Sequence, residues 1–299
     1  MSATSTHMSG GGKRRSLSLR RRWSKSSRGD VTFFVIGGLI VAVFVIAAIA
    51  PSLFTSHNPD ALYQGPSLAP PGSGHLLGTD ELGRDFFSRL VYGTRSSLVM
   101  SVVIVAIGAV LGSVVGFVAA FAGGWLDELL MRIVDLFLSL PGFVLALALA
   151  AALGRGDESV VIALSIVWWP GYTRLVRGMV LSLRHRLHVE SARALGAGPV
   201  RIVYRHMLPF MWGQLVARVT QDLGYALVNV AGLSFVGLGA QPPAPEWGSL
   251  LQSGLQYVAS GWWLTVFPGA AIALWTVGVA MFGDGVTGIL NLDRVGGRQ

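Results

Sequence analysis

The sequence predicts an all-α polytopic membrane protein with six transmembrane helices. Composition is the first reason, because 52% of the 299 residues are apolar and only 13% are charged, whereas soluble domains carry about 25% charged residues. The second reason is a series of apolar runs long enough to cross about 30 Å of hydrocarbon. The third is the clustering of basic residues in two segments, as the positive-inside rule requires of cytoplasmic loops.

The same composition argues against several other functions. The chain has no cysteine, which excludes a disulfide framework and thiolate chemistry. Its net charge of +8 does not indicate nucleic-acid binding, because the basic residues lie beside apolar runs, within 13–28 and 174–205. The phosphate loop G-x-x-x-x-G-K-[ST], H-E-x-x-H and G-x-S-x-G do not occur. We therefore expect no catalytic residues, no metal site and no cofactor bound by this chain.

The chain divides into four parts. Residues 1–29 are rich in Ser, Gly and Arg and are predicted to form a disordered basic cytoplasmic tail. The first transmembrane helix and an extracytoplasmic connection occupy 30–96, the core transmembrane domain 97–292, and a C-terminal tail 293–299. The first apolar run could also be a cleaved signal peptide, but a signal core is usually about 7–15 residues long, and this run is longer.

The predicted spans are, in chain order, 31–54, 98–122, 133–153, 160–172, 208–238 and 262–290. The fourth is short and is expected to continue to residue 176, and the third is expected to bend near Pro141 and Gly142. The spacing of Gly108, Gly112 and Gly116 predicts a face of the second span against which another helix packs closely. With the basic tail inside, an even number of spans places both termini in the cytoplasm.

One polar segment, ESARALGAGPVRIVYRHMLP at 190–209, interrupts the apolar pattern. Good helix formers lead up to Gly196, where glycine is a natural helix stop because it accepts positive φ. Pro199 suits the first position of a new helix, and Pro209 marks the entry to the fifth span. The segment thus predicts a helix, a tight turn and a second helix on the cytoplasmic face. The alternative is a basic amphipathic helix resting on anionic lipid, which needs no such turn.

This segment resembles the "EAA" loop of ABC-importer permeases. The similarity lies in Glu190-Ser191-Ala192, then Gly196, then Leu208-Pro209, with Ser191 where alanine is usual. The segments 75–98, 132–154, 231–251 and 262–285 are similar to the C-type permease subunit of dipeptide, oligopeptide and nickel importers. The resemblance extends from roughly residue 28 to the C-terminus.

The resemblance implies a type I ABC-importer permease fold in the bacterial plasma membrane. It implies three kinds of partner: a homologous permease in a heterodimer, two cytoplasmic ATP-binding subunits that hold ATP and Mg, and an extracytoplasmic substrate-binding protein. In this family a coupling-helix loop, here 183–209, docks on an ATP-binding subunit. The residues that it assigns to coupling are Glu190, Ser191, Ala192, Arg193, Leu195, Gly196, Pro199, Leu208 and Pro209.

The resemblance also implies what the chain does. It implies a non-catalytic permease subunit that forms half of the translocation pathway of an ATP-driven importer of di- or oligopeptides. Nickel or another small solute is the alternative cargo. An ion-coupled secondary transporter, which would use intramembrane charges as ion sites, and a membrane-embedded hydrolase are the rivals from other classes.

Four polar residues lie inside the fifth predicted span: Arg218, Gln221, Asp222 and Asn229. Ionisable groups at membrane depth cost several kcal/mol unless they are paired or solvated, and Arg218 and Asp222 are spaced to pair on one helix face. Two interpretations stay open: a hydrated translocation pathway formed with a second permease, or an ion pair that locks helices together.

The proline-rich stretch QPPAPEWG predicts a stiff extracellular turn. We expect this turn to lie near the docking surface of a substrate-binding protein. The residues concerned are Gln241, Pro242, Pro243, Glu246 and Trp247.

Overall fold

The chain folds as a bundle of helices. A computed structural model describes the backbone of residues 12–72 and 74–296, and the side chains of 29–72, 74–198 and 200–288. The helices in chain order are α1 (Gly12–Ile49), α2 (Phe86–Ala122), α3 (Gly124–Ser139), α4 (Gly142–Leu153), α5 (Asp157–Leu183), α6 (Leu187–Ala194), α7 (Pro199–Ile202), α8 (Leu208–Phe235), α9 (Trp247–Gly254) and α10 (Trp263–Gly296). A π-helical turn, Val203–Met207, joins α7 to α8. Within the described residues the only strand-type pairing is one isolated bridge between Thr79 and Asp85, so the all-α prediction is confirmed.

Among the described residues, four helices are long and apolar enough to cross a membrane: Gly29–Ile49 of α1, α2, α5, and Trp263–Gly288 of α10. Together α3 and α4 form a fifth candidate, which is bent by 89° at the break before Gly142. With 28 residues, α8 is about 42 Å long, but the polar residues along it lower its hydropathy and it is not among the candidates. The count of six spans therefore stays a prediction that depends on α8.

The helix at the N-terminus differs from the prediction at both ends. It begins at Gly12, so residues 12–29 are helical where the sequence predicts a disordered tail. The reason is that 12–30 contains no proline and leads directly into the span, which propagates the helix. The helix stops at Ile49 rather than at residue 54, because Pro51 begins a separate 3₁₀ turn. Residues 1–11 of the tail, and 297–299 at the other terminus, lie outside the described residues.

The second helix begins well before the predicted residue 98. Asp85 caps it, accepting a hydrogen bond from the Ser88 amide at 2.8 Å. Several polar residues in its first turns are buried, namely Ser88, Arg89, Thr94 and Ser97. A prediction from hydropathy leaves such polar residues out of a span. In the folded chain they are part of the helix, because they are packed against protein and hydrogen-bonded.

The glycine face of α2 packs against α5, as predicted. A Cβ at Gly108 would lie 2.8 Å from the Cβ of Trp168, and one at Gly116 would lie 2.7 Å from the Thr173 carbonyl oxygen. At Gly112 it would overlap the backbone of α5. Side chains at these positions would hold the two helices apart, so the close approach of α2 and α5 depends on glycine.

The two ends of the bundle differ in character. At one end α6 and α7 form a helical hairpin between α5 and α8. At the other end the connection 50–85 meets α9 and the start of α10, where the Trp263 indole donates to the Thr79 carbonyl oxygen at 3.1 Å. Between these ends, α8 packs against α2, α5, α9 and α10. A helix with polar residues thus lies against most of the other long helices.

Candidate functional site

The turn between α6 and α7 is a Schellman motif. The amide of Gly196 donates to the Arg193 carbonyl oxygen at 3.0 Å, and the amide of Ala197 donates to the Ala192 carbonyl oxygen at 3.0 Å. Gly196 has a φ of +81°, a region that only glycine enters without strain. The predicted stop is therefore present, and its cause is the backbone conformation.

One face of the hairpin is buried against the bundle. Val189 of α6, Ile202 of α7 and Met207 of the π-helical turn belong to one apolar cluster with Val176 and Val180 of α5. Because each of these side chains is at most 2% exposed, the hairpin is fixed to the membrane helices by close packing.

The opposite face of the hairpin exposes large apolar side chains. Leu187, Leu195, Val200 and Tyr204 are 82%, 88%, 78% and 75% exposed. Exposed arginines, among them Arg193 and Arg201, lie between them in the sequence. A concentration of exposed apolar groups of this kind marks an interaction surface. We call these four residues the hairpin patch.

The residues assigned to coupling by resemblance lie on both faces of the hairpin. Ala192 is buried, whereas Glu190, Ser191, Arg193, Leu195 and Gly196 are exposed, Leu208 and Pro209 begin α8, and Pro199 begins α7. Leu187, Val200 and Tyr204 were missed by the motif. The signal for them is present in the sequence as apolar residues within a polar segment.

A polar stripe runs along the exposed side of α8. Gln214, Arg218, Gln221 and Tyr225 are all exposed, and their spacing of four, three and four residues places them on one face over about 16 Å. Polar side chains at membrane depth are stable against water or protein and costly against lipid. We call these four residues the α8 stripe.

The predicted ion pair of α8 is present. The Arg218 Nε donates to Asp222 Oδ2 at 2.9 Å, and the guanidinium carbon lies 5.8 Å from the centre of the Tyr172 ring on α5. Asp222 is buried and Arg218 is half exposed. Both residues of the ion pair lie on α8, and the Tyr172 ring places α5 beside the pair. Asn229 is also buried and donates to the Tyr225 carbonyl oxygen at 2.8 Å.

A cavity of about 270 Å³ lies beside this pair, at the break between α3 and α4. Its walls are mostly aromatic and aliphatic, with Arg218 and Asn229 among the polar lining residues. Of the four polar residues predicted in the span, the structure thus brings two to one cavity. Gln221 is exposed on the α8 stripe, and Asp222 is buried behind Arg218.

At the other end of the bundle, the side chains of Glu246 and Trp247 are not exposed. The Glu246 carboxylate caps α9, accepting from the amides of Gly248 and Ser249 at 2.9 Å each, and the Trp247 indole donates to the Leu90 carbonyl oxygen at 3.0 Å. Both side chains are fully buried, so the structure does not expose them for the predicted contact with a binding protein. A charged residue after a proline-rich turn suggests an exposed surface, but here Glu246 and Trp247 fix the start of α9 to the rest of the bundle.

The exposed part of the same loop is Gln241 to Ala244. The buried Arg89 holds it in place, donating to the carbonyl oxygens of Pro243 and Pro59 at 3.2 Å each. An arginine in the first turns of α2 therefore positions a loop far along the chain. The sequence gives no local signal for this contact.

Two carboxyl groups at this end have shifted pKa values. Burial raises the pKa of Glu246, although the amides of Gly248 and Ser249 act in the opposite direction. Burial also acts to raise the pKa of Asp85, but hydrogen bonds from the hydroxyl and amide of Ser88 and from His75 outweigh it and keep that pKa below its usual range.

The hairpin, the broken span and the polar helix together define a transporter permease. A solved chain of the MetNI methionine ABC transporter in an inward-facing conformation has the same fold, with a TM-score of 0.56 and 23% identity. The match covers 66% of this chain and 94% of that one. The predicted type I ABC-importer permease fold is thus confirmed.

Sequence comparison gives the family. Residues 108–293 match the model of the binding-protein-dependent transport system inner membrane component, and the chain belongs to this family. It is 39% identical over 265 residues to the probable D,D-dipeptide transport system permease protein DdpC of Escherichia coli K12, covering 89% of both chains.

Two further relatives have similar coverage. The dipeptide transport system permease protein DppC of Alkalihalophilus pseudofirmus is 38% identical, over 86% of this chain and 84% of its own. The glutathione transport system permease protein GsiD of Escherichia coli O6:K15:H31 is 42% identical, also over 86% and 84%. The resemblance drawn from the sequence motifs is therefore confirmed.

Proposed function

We propose that this chain is the permease subunit of an ATP-driven importer of di- or oligopeptides. The names of the relatives support this cargo, since they are transport permeases for D,D-dipeptides, dipeptides and glutathione. The chain forms one half of the translocation path and a homologous permease forms the other half. Two cytoplasmic subunits bind ATP and Mg, an extracytoplasmic protein delivers the solute, and this chain performs no bond chemistry.

The observation that carries the proposal is the two-faced hairpin. Its hairpin patch, which includes Leu195, is the surface that an ATP-binding subunit covers. Its other face, which includes Val189 and Ile202, is buried against α5. Movement of the docked subunit is therefore transmitted to the membrane helices as a rigid-body displacement, because the packed contact between them is not compressible.

Charge and polarity support the rest of the arrangement. The hairpin segment is basic and accordingly lies in the cytoplasm, with both termini on the same side. The α8 stripe faces the path and the second permease, where its side chains are solvated or paired. The exposed loop Gln241 to Ala244, held by Arg89, is the contact for the binding protein.

Two pairs of variants in the reconstituted importer test the proposal. Leu195→Asp and Glu190→Lys insert in the membrane but lose ATP-driven uptake of a labelled dipeptide. Leu195→Met and Glu190→Gln, which keep the apolar or acceptor character, retain it. Normal uptake in both Leu195→Asp and Glu190→Lys would contradict docking at the hairpin.

The cargo and the energy source have separate tests. Competition between an unlabelled dipeptide and a nickel chelate decides the substrate, and the dipeptide alone is expected to compete. Uptake by the purified chain on an ion gradient without ATP would instead establish a secondary transporter.

A further inference from the structure

We propose that the cavity at the break between α3 and α4 binds the carboxylate of the transported solute. The groups that receive it are the Arg218 guanidinium and the N-terminus of α4. This inference rests on the proposed function and adds the chemical group that the path recognises.

The cavity has the size and lining of a small binding site. Its volume of about 270 Å³ lies just below the range of typical ligand pockets, about 300–1,000 Å³. Such a volume suits the end of a small solute and not a long chain. Phe137, Phe143 and Val167 supply apolar walls, against which the terminal side chain of a peptide can pack.

Arg218 brings a positive charge to this cavity. Its Nε donates to Asp222, so the guanidinium keeps its Nη donors for the cavity that it lines. A planar fork of two donors matches the geometry of a carboxylate.

The break in the span places a helix N-terminus at the same cavity. The 12-residue α4 begins at Gly142, and its capping position, Pro141, contributes no side-chain acceptor. Gly142 and Phe143 line the cavity. The first amides of a helix have no intrahelical acceptor and carry partial positive charge. In broken membrane helices such ends receive anionic groups.

Trp168 contributes ring surface to the cavity wall, because its indole nitrogen is enclosed by protein. The Asn229 amide is another polar group that lines the cavity. Asn229, whose amide nitrogen donates to the Tyr225 carbonyl oxygen, keeps its own carbonyl oxygen for an N–H of the peptide.

The donors at the cavity favour a ligand with a negative charge. Arg218 is the charged residue in the cavity lining, and its carboxylate partner, Asp222, is engaged by the Arg218 Nε. A carboxylate satisfies the free donors of Arg218 and α4, whereas a cation such as Ni²⁺ would meet a guanidinium and a positive helix end. The free C-terminus is the group that all linear peptides share, so its recognition is independent of their side chains.

The test measures binding to the purified complex of both permeases and the ATP-binding subunits, without the binding protein. Ligand-observed NMR, which detects weak affinity, is used with alanyl-phenylalanine, its C-terminal amide and its N-acetyl derivative. The free acid and the N-acetyl derivative are expected to bind about tenfold to a hundredfold more tightly than the amide, the range of a hydrogen bond to a charged group. Equal affinity of acid and amide overturns the proposal.

A double variant then locates the site. Arg218→Gln together with Asp222→Asn removes both charges, so that no unpaired carboxylate is left buried. It should reduce the preference for the acid to less than about twofold. The matched control is Val228→Ala on the same helix, an exposed residue outside the cavity lining, which should keep the full preference. A preference that survives in the double variant, or is lost in the control as well, overturns the assignment.

The outcome is separable from that of the proposed function. If the unmodified importer takes up the dipeptide with ATP but shows no preference for the free acid, the carboxylate site is wrong and the importer stands. If the unmodified importer does not take up the dipeptide, the proposed function itself is wrong.

Discussion

A single methyl group at Gly196 should loosen the hairpin without blocking any contact. A Cβ at this position meets no atom within 4 Å, so alanine fits in space. However, the residue has a φ of +81°, where an L-residue brings its Cβ close to the backbone. The cost of Gly196→Ala is therefore purely conformational.

The size of this cost follows from the backbone. A non-glycine residue in the left-handed region costs about 1–2 kcal/mol. Unless the turn changes shape, this cost is subtracted from the free energy that holds the hairpin closed. Since 1.4 kcal/mol corresponds to a factor of ten, the opening equilibrium should rise about fivefold to thirtyfold.

Hydrogen–deuterium exchange of residues 187–202 in the reconstituted protein measures this opening directly. The matched control is Gly198→Ala, two residues away. A Cβ at Gly198 also meets no atom within 4 Å, and its φ lies outside the left-handed region. Gly198→Ala should therefore exchange at the parent rate or more slowly, because alanine reduces the entropy of the open chain.

Two results would refute the reasoning. The first is parent-like exchange in Gly196→Ala, which would mean that the turn accommodates alanine without strain. The second is equal acceleration in Gly198→Ala, which would mean that added bulk and not φ is responsible. In the expected case, Gly196→Ala also lowers uptake per ATP hydrolysed, because an open hairpin transmits less of the motion.

Four further changes test other parts of the structure. Leu195→Ala should not change the thermal stability of the isolated chain. It should weaken the affinity for the ATP-binding subunits about thirtyfold, since about 2 kcal/mol of apolar burial is lost. An unchanged affinity in a pull-down titration would contradict this. Gly112→Ala should destabilise the chain by about 1–3 kcal/mol, because its Cβ overlaps α5. Gly178→Ala, where a Cβ meets no atom within 4 Å, should not destabilise it. Equal melting temperatures of the two variants would contradict this prediction. Because the folded-state pKa of Glu246 is raised, its contribution to stability is present below its unfolded pKa of about 4.3 and is lost as the pH rises through the folded value. Glu246→Gln should therefore gain stability relative to the parent as the pH rises, and parallel melting curves would contradict it. For Asp85→Asn the stability difference from the parent should depend on pH in the opposite direction. The folded-state pKa of Asp85 is lowered, so the greater stability of the parent is lost as the pH falls below about 3.9.

The hairpin is the part of the site that the sequence predicts best. Its signals are local: a helix stop at Gly196 and a helix start at Pro199, both of which depend on the backbone of neighbouring residues. The polar groups of α8 are likewise visible, because Arg218 and Asp222 interrupt an apolar run. Local conformation and hydropathy need no knowledge of the rest of the chain.

The outer loop shows why other features were not predictable. Glu246 and Trp247 are buried because α9 packs against α2, where Ser97 donates to the Glu246 carboxylate at 3.1 Å and the Trp247 ring lies 3.4 Å from a Cβ position at Gly93. These partners are about 150 residues away in the chain. No local pattern announces such a contact.

The sequence by itself determined the all-helical membrane class, the family, the break at Pro141 and the hairpin with its turn. Only the tertiary structure decided which side of each helix is covered. It therefore decided that α8 exposes a polar stripe, that Arg218 and the start of α4 share one cavity, and that Glu246 caps α9 out of reach of any partner. The physical reason is that propensity and hydropathy act between neighbours, whereas burial depends on helices that meet from distant parts of the chain.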